Sequence, residues 1–271
     1  MNANPIEPAG TVLALAGRHA LVTGGSRGIG LAIAGQLLEM GARVTLMGRD
    51  EEALRTAAGQ LAGEASDSVA WVAGDIASHD DVQRALAEAR QVHGLVDILV
   101  NNAGQAVSQR FDRLDETGWQ RMLAVNLTGT FHCMHAVLPD MRRSGWGRIV
   151  NVASTAGLKG YAYVSAYCAA KHGVIGLTRA VALEVAGQGV TVNAVCPGYT
   201  ETDIVRAAVA NISAKTGSSA EQALGQLTAR NPQGRLVQPA QVAQAVAWLC
   251  LPGSDAVNGQ AIAIDGGELA G

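Results

Sequence analysis

A chain of 271 residues that is 48% hydrophobic and only 16% charged can bury a large core, which excludes a disordered protein. A formal net charge of −3 gives no basic surface for nucleic acid, and no apolar run approaches a membrane span. The four scattered cysteines, Cys133, Cys168, Cys196 and Cys250, form no C-x-x-C, so no zinc site or disulfide framework is expected.

Reduced thiols in a cytoplasm are expected, and an N-terminus without a basic region and full apolar signal core gives no expectation of export. Residues 1–14 contain Pro5, Pro8 and Gly10 and read as a loose extension before one domain over 15–271. His19 to Thr23 is a short apolar run, read as a buried strand. The turn G-G-S-R-G-I-G, Gly24 to Gly30, follows, and a helical pattern then runs to Met40 and stops at Gly41. Glycines let backbone approach phosphates, and a helix N-terminus favours their charge. Arg43 to Met47 is a second strand, followed by a helix at 50–62, a strand at 69–73, a helix at 79–92 and a strand at 96–100. This alternation predicts a parallel sheet covered by helices on both faces. A long helical region at 115–142 precedes a strand at 147–153, and a helix carrying Tyr167 runs to residue 187. Val190 to Val195 is the next strand. Residues 200–230 are polar and Ala-rich, with helical patches and no strand. A helix at 239–251 and a strand from Ala261 to Ile264 close the chain. No repeat or low-complexity linker marks a second domain.

In open parallel sheets, ligands bind beyond the carboxyl ends of the strands. Gly24, Asp75, Asn101, Ser154 and Pro197 all follow apolar runs, so one edge should collect them. Tyr167 and Lys171 are four apart, one helical turn, so they share a face. An ammonium beside a phenol favours the phenolate, which lowers the tyrosine pKa toward neutral. Ser154 lies thirteen residues before Tyr167, at a strand end. Ser, Tyr and Lys together suit carbonyl or alcohol chemistry: the hydroxyls hold the oxygen and the tyrosine moves its proton. Tyr161 and Tyr163 lack a lysine one turn on. Cys168, His132, His135 and His172 read as packing or surface residues, and Asn101 and Asn126 also suit a purely structural capping role.

With these residues in view, the sequence from Leu15 to Gly267 resembles the short-chain dehydrogenase/reductase family. T-G-G-S-R-G-I-G (Thr23 to Gly30) matches its cofactor glycine motif, which implies contacts from Gly24, Ser26, Arg27, Gly28, Ile29 and Gly30. Asp75 and Ile76 match an adenine-contacting pair, and N-N-A-G (Asn101 to Gly104) a motif that places Asn102, Ala103 and Gly104 against the cofactor. N-L-T-G carries a catalytic Asn at Asn126; Ser154, Tyr167 and Lys171 complete a tetrad. P-G-Y-T-E-T (Pro197 to Thr202) matches a nicotinamide-side motif, implying contacts from Pro197, Gly198, Thr200 and Thr202, and D-G-G (Asp265 to Gly267) a C-terminal motif. The resemblance implies a single-domain, doubly wound Rossmann fold of seven strands, with 200–230 as a substrate lid. It implies that Tyr167 is general acid in reduction and base in oxidation, and that Ser154 positions the substrate oxygen. Lys171 would hold the nicotinamide ribose, and Tyr167 and Lys171 both border the cofactor. Asn126 would support a water linking Lys171 to solvent. No metal is needed.

NAD-specific members of this fold place an acid at the end of the second strand. That position is Gly48 here, followed by Arg49, which can pair with a 2′-phosphate, as can Arg27. NADP(H) is therefore expected; Asp50, two residues on, is the route to NAD(H). Thr228 to Pro239 resembles polyketide ketoreductases and 3-oxoacyl reductases, and the segments around Tyr167 and Gln188 resemble 3-hydroxybutyrate dehydrogenases. A 3-oxoacyl or 3-hydroxyacyl substrate such as a coenzyme A thioester is expected, with a free ketone or alcohol as the other choice. Gly145 and Gln188 stand where carrier-protein-docking relatives have basic residues, although Arg142, Arg143 and Arg148 are near. An isomerase or dehydratase on this fold would also bind nucleotide; a nucleotide sensor would have a broken tetrad, and a scaffold a basic stripe or tail. Family members commonly form homotetramers through two long helices, here around 115–142 and 163–187, where Ala169, Ala170, Gly173 and Gly176 permit close contact.

Overall fold

The computed structural model describes residues 13–63 and 66–270, so most of the expected N-terminal extension lies outside the described residues. The strands are β1 (His19–Thr23), β2 (Arg43–Gly48), β3 (Val69–Ala73), β4 (Ile98–Asn101), β5 (Gly147–Val152), β6 (Val190–Pro197) and β7 (Ala261–Ile264). They form one sheet in the order β3-β2-β1-β4-β5-β6-β7, every pairing parallel. The chain builds outward from β1 to β3 and then crosses back to lay β4 on the other side of β1. That reversal opens a crevice beyond the carboxyl ends of β1 and β4, where ligands bind in such sheets.

The strands at the centre are apolar because both of their faces are covered. Every residue of β1, β4, β5 and β6 is buried. Helices α1 (Gly28–Glu39), α2 (Glu51–Ala62) and α9 (Pro239–Cys250) cover one face, with Ile33, Leu37, Leu54, Val242 and Val246 in a common core. Helices α3 (His79–His93), α5 (Gly129–Ser144) and α6 (Ser165–Val185) cover the other, through Val82, Leu86, Val137, Met141 and Val185. Each such side chain contributes roughly 1.5–3 kcal/mol by leaving water.

Local chemistry sets the helix ends. Asp50, Ser78 and Asp115 accept backbone N–H bonds in the first turns of α2, α3 and α4 (Glu116–Leu123). Gly145 ends α5 in the left-handed conformation at φ +68°. The region expected as one helix over 115–142 is α4, a widened π-turn over Ala124–Thr128, and α5. The cause is Asn126, whose side-chain Nδ2 donates to the Met122 carbonyl at 3.0 Å and so competes with the regular backbone ladder. The strand expected at 96–100 runs 98–101, with Asp97 instead accepting the His19 N–H at 3.0 Å. Residues 200–230 hold α7 (Asp203–Thr216) and α8 (Ala220–Thr228).

Candidate active site

The glycine turn is shaped by backbone that only glycine tolerates. Gly24 and Gly28 have φ of +63° and +55°. A Cβ on Gly30 would stand 2.2 Å from the Gly24 carbonyl oxygen and 2.5 Å from Asn102 Nδ2. No side chain caps α1, whose preceding residue Arg27 is extended. Its first N–H groups, beside Ser26 and Ile29, face a cradle that suits a diphosphate. The loop after β4 fixes this turn. Thr23 Oγ1 accepts from the N–H groups of Asn102 and Ala103, both at 3.0 Å, and Asn102 Nδ2 donates to the carbonyls of Thr23 and Gly24. Asn101 turns away from the crevice and donates to Asn151 Oδ1 at 2.8 Å, so its role is to tie β4 to β5.

Opposite the glycine turn lies the segment after β6. Thr202 Cγ2 is 3.3 Å from where a Gly28 Cβ would sit, so Gly28 and Thr202 face each other. Gly198 N–H donates to the Ile264 carbonyl, and Thr200 Oγ1 bonds the Gly198 carbonyl at 3.0 Å, which curls the chain after Pro197. Asp75 and Ile76 follow β3. Ile76 packs its side chain against Gly129, while Asp75 stays partly exposed. Arg49 is exposed and 3.7 Å from Asp75, and Arg27 is exposed and 3.6 Å from Asp203. Asp50 accepts the Ala53 N–H at 3.0 Å. This bond through Oδ1 starts α2.

Ser154 follows β5 in extended conformation, and Gly157 then lets its loop touch α6: a Cβ there would be 2.7 Å from the Lys171 carbonyl oxygen. This close approach sets the Ser154 hydroxyl against that of Tyr167. Tyr167 keeps some exposed surface, but its hydroxyl is enclosed and burial pushes its pKa up to about 12; the bond from Ser154 pulls the other way. Lys171 is 5% exposed, donates from Nζ to the Val152 carbonyl at 2.8 Å, and lies 5.7 Å from the centre of the Tyr167 ring. Burial lowers its own pKa to about 8. The expectation that Lys171 brings the tyrosine pKa down is therefore corrected: in the protein alone, desolvation of the phenol outweighs a lysine that is itself buried and turned to a carbonyl.

Asn126 is fully buried in the π-turn. Its Oδ1 accepts from the Gln105 N–H at 3.1 Å and its Nδ2 donates to the Gln105 carbonyl at 2.9 Å. A Cβ on Gly104 would meet both Asn126 Oδ1, at 2.8 Å, and Lys171 Nζ, at 3.7 Å, so these two groups border the same glycine. The structure thus brings Asn126, Ser154, Tyr167 and Lys171 to the edge that also holds the glycine turn.

Four further side chains wall the site beside Ser154: Tyr161, Glu268, Lys159 and Tyr199. Tyr161 donates to Glu268 at 2.6 Å and sits 2.9 Å from Thr155 Oγ1; Lys159 is 3.5 Å from Glu268. The Glu268 side chain is 3% exposed, and burial beside it raises the pKa of Tyr161. Tyr199 lies close enough to act on Tyr161 and Tyr167. Glu268 directly follows the D-G-G motif, the one sequence signal for this group; its contact with Tyr161 spans 107 residues. His132 bonds the Ile76 carbonyl and His172 the Cys168 carbonyl, as packing residues do. All four cysteines are free and buried. Among the described residues no group of three or more His, Cys, Asp or Glu side chains could hold a metal ion, and no helix is long and apolar enough to cross a membrane.

Comparison with known proteins agrees with this geometry. The family described as short chain dehydrogenase matches residues 18–213. A D-beta-hydroxybutyrate dehydrogenase of Rhizobium meliloti is 37% identical over 255 residues, covering 93% of this chain and 99% of the relative. The 3-oxoacyl-acyl-carrier-protein reductase of Vibrio cholerae is 38% identical over 253 residues, covering 93% and 98%. A variant of actinorhodin polyketide ketoreductase, solved with NADPH, superposes with a TM-score of 0.89 at 42% identity, covering 93% of this chain and 97% of that one.

Proposed function

The chain belongs to the short-chain dehydrogenase family, and from that premise we propose that it is an NADP(H)-dependent enzyme interconverting a 3-oxoacyl and a 3-hydroxyacyl substrate, most simply as a coenzyme A thioester. The observation that carries the reading is the convergence of Ser154, Tyr167, Lys171 and Asn126 beside a glycine turn that leads into an uncapped helix. The residues fit a nicotinamide dinucleotide: Gly24, Ser26, Gly28, Ile29 and Gly30 at the diphosphate, Asp75 and Ile76 at the adenine end. Asn102, Ala103, Gly104, Pro197, Gly198, Thr200 and Thr202 would line the nicotinamide half. NADPH bound there would supply the hydride.

This chain's own residues do the rest. Ser154 holds the carbonyl oxygen by hydrogen bonding. Tyr167 gives that oxygen its proton in reduction and takes it back in oxidation. Lys171, enclosed and near its pKa, is placed to pass a proton onward, and the π-turn keeps Asn126 next to it. The segment 200–230, with α7 and α8, is the lid over the substrate. For the cofactor, support comes from Arg49 and Arg27, both exposed, and from Gly48, which leaves room where NAD-specific relatives carry an acid. For the substrate, support comes from relatives named for oxygen at the 3-position. Coenzyme A is preferred over a carrier protein because Arg148 is buried, Arg143 pairs with Asp140 and Arg142 bonds Gln188. The test is kcat/KM for acetoacetyl-CoA, free acetoacetate and a simple ketone, each with NADPH and NADH. Best turnover of acetoacetyl-CoA with NADPH is expected; a preference for NADH overturns the cofactor assignment, and a preference for the simple ketone overturns the substrate.

A further inference from the structure

The turn that follows β7 reaches three walls of the candidate site. Asp265 folds it by accepting from the N–H groups of Gly267 and Leu269, at 2.9 and 3.0 Å. The turn lies against the base of the lid, where a Cβ on Gly266 would collide with the Asn231 side chain. It also lies against the segment after β6, where a Cβ on Gly198 would stand 3.2 Å from the Asp265 Cα and 3.5 Å from Glu268 Oε2. Glu268 carries it to the third wall, the loop from Ser154 to Tyr161. The Glu268 side chain is 3% exposed, and a carboxylate is buried at a high cost unless it is paired and hydrogen-bonded. Its Oε1 accepts from the Tyr161 hydroxyl at 2.6 Å, with Lys159 Nζ 3.5 Å away. Tyr161 has one proton and gives it to the carboxylate, so the Thr155 hydroxyl, 2.9 Å from the phenol oxygen, donates to that oxygen in turn. Thr155 directly follows Ser154. The Tyr161 ring is flanked by Lys159 and by Arg230 of the lid base, each 5.3 Å from its centre.

We propose that Glu268 is a positioning residue: through Tyr161 and Thr155 it fixes the Ser154 loop against the segment at Gly198. The reduction needs the carbonyl oxygen at Ser154 and Tyr167 while the carbonyl carbon faces the nicotinamide side. Those two anchors follow different strands, Ser154 after β5 and Gly198 after β6. The sheet sets the strand ends, and the carboxylate of Glu268 spans the loops beyond them. A misplacement of about 1 Å between reacting partners costs on the order of a hundredfold in rate. The proposal rests on the reading that Ser154 holds the substrate oxygen and that Gly198 borders the nicotinamide; it does not depend on which ketone is reduced.

Steady-state kinetics of the full chain with acetoacetyl-CoA and with cyclohexanone, beside fluorescence titration of NADPH, test this. Glu268→Leu keeps the length and removes the acceptor. Its kcat should fall roughly tenfold or more on both ketones, while the NADPH dissociation constant stays within about twofold. Tyr161→Phe should lose a similar factor, and the double variant no more than the worse single one, because both break the same tie. Glu268→Gln keeps an oxygen for the Tyr161 hydroxyl and should hold kcat within about threefold of the unaltered chain. Full kcat in Glu268→Leu, additive losses in the double variant, no recovery with Glu268→Gln, or an equal loss of NADPH affinity would each overturn the proposal. Should Glu268→Leu not fold, Tyr161→Phe and Glu268→Gln carry the same test: loss of kcat in the first and its retention in the second. A preference of the unaltered chain for cyclohexanone strikes the acyl reading and leaves the proposal to be judged on that ketone. No turnover of either ketone overturns both.

Discussion

At the scale of single residues, the proton carrier is the first point to test. Tyr167→Phe keeps the ring and removes the hydroxyl that meets Ser154. Turnover should drop by roughly a hundredfold or more, as for a lost general acid, while NADPH affinity holds; near-normal turnover counts against the assignment. The pH profile follows from the same group. Burial raises the Tyr167 pKa to about 12, so the hydroxyl stays protonated in the neutral range. Reduction needs that proton and gains nothing as pH rises. Oxidation needs it gone, and the deprotonated fraction grows about tenfold per pH unit below the pKa. Initial rates should therefore climb with pH for the 3-hydroxyacyl substrate and not for the 3-oxoacyl one; a flat oxidation profile would contradict the raised pKa. Arg49 is the third case. Arg49→Ala should weaken NADPH by about 1–3 kcal/mol and leave NADH nearly unchanged, by dissociation constants for each cofactor. Equal losses for both would show that Arg49 contributes through its contact with Asp75 alone.

Among the elements, the unit from β1 to α1 was the most legible part of the chain. An apolar run, a turn with Gly24, Gly28 and Gly30, and a helical pattern describe it fully, because the demand on each glycine is local. Gly30→Ala tests that demand. The added methyl would meet the Gly24 carbonyl and the Asn102 amide, neither of which can yield without breaking the tie between β1 and β4. A loss of about 1–3 kcal/mol in stability is expected, with weaker NADPH binding, measured by denaturant unfolding and by titration. Unchanged stability would mean that the turn relaxes. The break between α4 and α5 was not legible. Residues 115–142 have a continuous helical pattern, and the Asn126 side chain that widens the turn is held both by the Met122 carbonyl, four residues earlier, and by Gln105, 21 residues earlier on another loop. Local spacing does not encode the Gln105 partner.

At the scale of the whole molecule, the small residues named for close helix contact divide. Ala170 is fully buried, and Gly173 packs against Leu127 within the subunit. Gly176 faces open space, and Phe131 and Leu183 are 46% and 83% exposed on α5 and α6. Apolar surface of this kind favours covering by a second copy. Sedimentation at micromolar concentration should show a tetramer, and Leu183→Glu should shift it toward smaller species; a pure monomer of the unaltered chain would exclude assembly through these helices. The sequence by itself determined the alternation of strands and helices, the glycine turn and the edge at which the strands end, which follow from periodicity, from a local backbone requirement, or from the rule that parallel strands gather their carboxyl ends. The grouping of Asn126 with Ser154, Tyr167 and Lys171 came from resemblance to the family. Only the tertiary structure decided the rest. Enclosure turned the expected shift of Tyr167 upward and set Lys171 near 8. Distance along the chain hid the bond from Tyr161 to Glu268. Desolvation and long-range contact depend on what the folded chain places around a group, and a linear pattern does not carry that information.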